Sequence, residues 1–144
     1  MFRIRFVLLL FVFALADSVA AQSAPERGTV LRTAILDGLR AGVADVRGLE
    51  RDVLFRVHKL AVLDAFALAS VTPISPVGET IYEFEKDLEC DRQIIALLQF
   101  REAGWEVVER DVGPCDYIWR ALFEQTPEYP GTLLSYWEDM PSAN

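Results

Sequence analysis

The chain has 144 residues, a net charge of −8 and 52% hydrophobic residues. That is enough for one well-filled core and too little for two full domains. The acidic balance argues against a nucleic-acid partner and for a basic protein, a cation or a cationic surface.

The first residues read as an export signal. Arg3 and Arg5 give a basic start, Phe6 to Ala16 is unbroken apolar sequence, and Val19-Ala20-Ala21 supplies small residues at a cleavage site. The apolar run falls short of the roughly 20 residues a spanning helix needs, so residues 1–21 are expected to be removed rather than to anchor the chain in a membrane. Cleavage after Ala21 takes away a net charge of +1. The expected location is periplasmic or secreted, with no membrane contact in the mature form.

Residues 22–28 are polar, contain Pro25, and read as a disordered lead-in to one α+β domain spanning 29–144. Leu31, Ile35, Leu39, Val43 and Val46 recur at spacings of four and three, which predicts one long amphipathic helix from Thr29, its cap, to Val46, closed by Gly48. Gly38 and Gly42 are close together on its surface and would permit a close approach to a sheet. Val53 to Leu63 and Phe66 to Val71 read as a strand pair broken at Asp64-Ala65, with Pro73 and Pro76 ending the second.

From Glu83 the carboxylates alternate: Glu83, Glu85, Asp87, Glu89 and Asp91. In an extended chain they would line one side, opposite Tyr82, Phe84, Leu88 and Cys90, as an acidic edge strand or loop. Such an edge either blocks unwanted strand pairing or docks a basic partner. Calcium is a weaker reading, because the segment lacks the D-x-[DN]-x-[DN]-G pattern and a straight ladder does not wrap an ion.

Gln93 to Arg101 and Trp105 to Val112 then form a hairpin turning at Ala103-Gly104, with Glu102 facing Trp105. In that register Cys90 and Cys115 meet at the open end, within about one pair of each other. Export to an oxidising compartment favours the same disulfide. Ile94, Ala96, Leu98 and Phe100 lie on one face of the first strand, and Ile95 and Leu97 on the other. A strand apolar on both faces should be covered on both. The N-terminal helix covers one face. The other is expected to receive the C-terminal segment 116–140, with Trp119, Leu122, Phe123, Tyr136 and Trp137, unless those aromatics are offered to a partner.

Catalytic signatures are sparse. His58 is the only histidine, no G-x-S-x-G elbow accompanies it, and no G-x-G-x-x-G or P-loop occurs. Glu109 and Asp111, expected on the side of Trp105 and Val107, are the candidates for a carboxylate working in an apolar pocket between helix and sheet, as in isomerases of the ketosteroid type.

The string Trp105-Glu-Val-Val-Glu-Arg-Asp-Val-Gly-Pro-Cys-Asp116 resembles a W-x-V-V-x-x-x-V-G-P-x-D element of small exported uncharacterised bacterial proteins. The layout is similar to cystatin-like and NTF2-like folds, and the single N-terminal helix suits the cystatin-like one better. The resemblance implies a four- to five-stranded antiparallel sheet on one helix, plus a short C-terminal helical segment, and carries no catalytic residue. The expected function is a non-catalytic binding protein without cofactor or metal. Its contact face would combine Glu83, Glu85, Asp87, Glu89 and Asp91 with Trp119, Tyr136 and Trp137. A homodimer is compatible with this reading, and a ligand or isomerase pocket between helix and sheet is the alternative.

Overall fold

A four-stranded antiparallel meander, in the order β1-β2-β3-β4, forms the middle layer of the molecule. The computed structural model describes residues 22–50 and 52–142; the expected signal segment lies outside them. Among these residues the elements are α1 Val30–Gly42, β1 Leu54–Leu63, β2 Phe66–Ile74, α2 Tyr82–Glu85, β3 Ile94–Arg101, β4 Gly104–Val112, α3 Trp119–Gln125 and α4 Gly131–Asp139. The α+β class and the antiparallel sheet are as expected.

The helix is not long. Thr29 does cap it, its hydroxyl accepting from the Arg32 N–H at 3.3 Å. Ile35, Leu39 and Val43 from the predicted stripe are fully buried. But α1 has 13 residues and stops at Gly42 rather than Val46. The cause lies on β4. The Arg110 guanidinium donates to the Gly42 carbonyl and grips Asp45 with two bonds of 2.6 and 2.7 Å. A continuing helix would give that carbonyl to the Val46 N–H, which instead donates to Val43 O at 2.9 Å.

Gly38 and Gly42 seat α1 on β4. A Cβ on Gly38 would collide with the Trp105 carbonyl and come within 2.9 Å of the Trp105 carbonyl carbon, and one on Gly42 would meet Val107 Cβ at 2.6 Å. Opposite the helix the sheet presents Ala67, Ala69 and Ala96, all fully buried. Small residues on both sides bring the layers together and leave the space filled.

The last hairpin turns one residue earlier than expected. Glu102 and Ala103 form the turn and Arg101 faces Gly104. Gly104 has a φ of +113° while neither turn residue is left-handed, which fits a type I turn closed by a glycine at the following position. Further along, Leu98 faces Val107 but Leu97 faces Glu109, so Val108 is an extra residue on β4. A one-residue bulge exchanges the two faces beyond it. Trp105 and Val107 face α1, but Glu109 and Asp111 sit opposite Leu97 and Ile95 and share their face, away from α1. This overturns the expected placement of those carboxylates. A second bulge at His58 interrupts β1. Both edge strands are thus irregular, which discourages pairing with another sheet.

Pro73 does not end β2. The strand runs to Ile74, but its pairing with β3 stops at Val71, so Pro73 lies where β2 has only one neighbour and a missing donor is tolerated. The lead-in, expected to be disordered, is tied down: Ser23 and Val62 exchange backbone bonds of 3.0 and 2.8 Å, and the Gln22 side chain donates to Thr132 O.

The second sheet face is covered by the C-terminal segment. Ala61, Leu63, Leu68, Ile95 and Leu97 pack against Trp119, Phe123, Leu133, Leu134 and Trp137. Each fully buried aliphatic or aromatic side chain there contributes on the order of 2 kcal/mol. The disulfide Cys90–Cys115, with Cα atoms 5.1 Å apart, ties the start of β3 to the exit of β4 and so sets where the chain crosses to this second layer.

Candidate functional site

The acidic segment does not form a ladder. Tyr82–Glu85 is a short helix, and Phe84 is buried in the first core with Ile81 and Leu88 packed against it. Anchors at 81, 84 and 88 have helical spacing. An extended chain would instead have buried Tyr82, which is 73% exposed. The carboxylates are thereby spread and several are matched internally. Glu83 pairs with Lys86 at 2.6 Å and Arg47 at 3.1 Å, and Arg47 also reaches Asp87 at 3.3 Å. The hydrogen bond from Lys86, then the charges of Lys86 and Arg47, hold the Glu83 carboxyl below its usual range. Glu85 Oε2 meets Arg92 at 3.3 Å, while its Oε1 is buried without a partner.

Glu89 and Asp91 differ from these. Both are exposed, and neither forms an ion pair with a described cation. They flank Cys90, and the disulfide brings Asp116, next to Cys115, to the same corner. Three exposed carboxylates therefore gather around one covalent staple. The sequence reading included Glu89 and Asp91 but missed Asp116; the predicted pairing of Cys90 with Cys115 was the signal that would have found it.

The aromatic half of the expected face is mostly interior. Trp119 and Trp137 are 1% and 5% exposed, and Tyr136 is half-buried. The two indole N–H groups have no hydrogen-bond partner, so hydrogen bonding does not hold these rings in place. The Lys59 ammonium sits 5.0 Å from the Trp137 ring centre and donates to the carbonyls of Trp137 and Glu138, capping the end of α4. Both tryptophans are buried in the second core rather than exposed. The structure does not bring them together with the acidic residues as one face.

The candidate catalytic groups are separated. His58 lies at the β1 bulge with its Nε2 2.7 Å from Thr72 Oγ1. Glu109 accepts from the Tyr129 hydroxyl at 3.1 Å, and burial, then that bond, raise the Tyr129 pKa. Burial likewise raises the Asp111 carboxyl above its ordinary value. Among the described residues no group of three or more His, Cys, Asp or Glu side chains is placed to hold a metal ion.

No family model matches this chain, and no curated protein or solved structure matches it either.

Several open grooves mark the surface. One, between α3 and α4, is lined by Arg120, Phe123, Leu134 and Glu138. Another, at the hairpin tips, is lined by Leu31, Ala65, Phe100 and Trp105. A third, beside α1 and β1, carries Arg27, Arg32 and Arg56. Sequence reasoning missed this last group, because its members come from three separate segments with no local pattern joining them. None of these three grooves is lined by Glu109 or Asp111.

Proposed function

We propose that this chain is an exported, non-catalytic binding protein that docks a basic partner at the acidic corner formed by Glu89, Asp91 and Asp116. The observation that carries this reading is the gathering of three exposed carboxylates by the Cys90–Cys115 disulfide. Unlike Glu83, Glu85 and Asp87, these acids keep their charge uncompensated, which favours a basic partner by complementary potential. The disulfide suits an oxidising compartment, and no described helix is long and apolar enough to cross a membrane. Likeness to the small exported bacterial proteins, and to the cystatin-like layout with α1 on one sheet face, belongs to the same proposal; α3 and α4 would then be an addition to that layout.

The alternative, an isomerase-like pocket between helix and sheet, has less support. Gly38 and Gly42 close the space between α1 and β4, and Glu109 and Asp111 lie on the opposite face.

The test is binding of poly-L-lysine to the wild type, to the variant E89K/D91K/D116K, and to E102K/E124K/E128K, which makes the same change of charge elsewhere. The corner variant should bind at least tenfold more weakly than the control variant. Equal weakening of both would mean that only net charge matters and would remove the proposed site.

A further inference from the structure

The described arginines divide into two sets. Arg40, Arg47, Arg92, Arg101, Arg110 and Arg120 each form an ion pair with a carboxylate. Arg27, Arg32 and Arg56 form none with any described carboxylate, and these three line one groove. Its other walls are apolar: Leu36 from α1, Phe55 and Val57 from β1, and Ile74 at the end of β2. A chain of net charge −8 has many acids with which to neutralise three cations. Here it leaves them together and unneutralised.

We infer that this groove binds a phosphate monoester carried on an apolar body. Guanidinium groups match phosphate oxygens with paired, charge-assisted bonds, and a monoester near −2 balances three cations better than a carboxylate does. The apolar walls take the body. The groove is open to solvent and its volume of about 360 Å³ has room for a small molecule. Arg32 is held in place by its bond to Pro25 O at 3.0 Å. Burial and the neighbouring Arg27 charge both lower the Arg32 pKa, an unfavourable arrangement that a bound dianion relieves. The groove is distinct from the acidic corner and does not depend on it.

The probes are decyl phosphate below its micelle-forming concentration, inorganic phosphate and decanol, titrated calorimetrically into the full chain in phosphate-free buffer. Decyl phosphate should bind at least tenfold more tightly than either of the others. R27Q/R56Q should weaken it at least tenfold, and Ile74→Ser should narrow the gap between decyl phosphate and inorganic phosphate. Circular dichroism checks that each variant is folded; if the double variant is not, R27Q and R56Q singly should each weaken binding at least threefold. Absence of saturable decyl phosphate binding, or equal affinity in wild type and folded arginine variants, overturns the site. Decanol or inorganic phosphate binding as tightly as decyl phosphate overturns the assigned ligand class.

Discussion

Replacing Gly38 by Ala sets two known effects against each other. In a free helix the change is worth about 1 kcal/mol of stabilisation. In this protein the new methyl group would run into the Trp105 carbonyl of β4. Overpacking of this kind costs typically 1–3 kcal/mol or more, and because the obstacle is backbone, no side chain can swing aside. We expect Gly38→Ala to lose about 1–2 kcal/mol net, a fall in Tm of roughly 3–10 °C for a domain of this size. Gly42→Ala should also destabilise, but its methyl would meet the Val107 side chain, with Val107 Cβ at 2.6 Å. Val107→Ala should therefore restore part of the loss from Gly42→Ala and none of that from Gly38→Ala, a coupling that a double-mutant cycle reads directly. Urea and thermal unfolding of the five variants supply the numbers. A Gly38→Ala protein as stable as wild type, or rescue of both glycine variants alike by Val107→Ala, would refute the close seating of α1 on β4.

Two further outcomes follow from the same structure. Removing the disulfide with C90S/C115S opens a loop of sequence separation 25 and should cost about 3 kcal/mol, or roughly 10 °C in Tm; a calorimetric loss under about 2 °C would sink that account. Asp111→Asn should raise Tm at pH 7. Burial raises the folded-state pKa of Asp111 above its unfolded value of 3.8, so the fold favours the protonated form, and its contribution to stability is fully present below pH 3.8 and lost as pH rises through the folded pKa. The gain from Asp111→Asn should accordingly vanish in melts at pH 3; a gain that persists there assigns the effect to packing instead.

Much of the fold was legible because it follows from local periodicity. Thr29 as a cap, the Ile35-Leu39-Val43 stripe, the break at Asp64-Ala65 and the two apolar faces of β3 are all written within a few residues of one another. The pairing of Cys90 with Cys115 was legible despite a misplaced turn, since a shift of one residue leaves both cysteines at the same end of the hairpin. What failed depended on distant partners. Arg110 on β4, 68 residues along the chain from Gly42, shortens α1, and nothing near Val43 announces it. The alternation from Glu83 to Asp91 has strand period, yet burial of Phe84 in the first core selects a helical turn. Period is a weak guide when the apolar positions are few.

The distribution of ion pairs explains why the arginine groove escaped notice in the sequence and why the acidic corner is only part of the acidic run the sequence offers. Charges that neighbour each other along the chain, such as Asp37 with Arg40 or Glu83 with Lys86, neutralise one another in place. Such exposed pairs contribute little to stability, but they remove those residues from any long-range field. The net field then comes from the residues left over, some of which are gathered by the disulfide at one corner and by the meeting of lead-in, α1 and β1 at the groove. A run of like charges in the sequence is therefore an incomplete indicator of where this protein is charged: Glu83, Glu85 and Asp87 in the densest run are matched by cations, while Glu89 and Asp91 stay unmatched and are joined by Asp116 only through the fold.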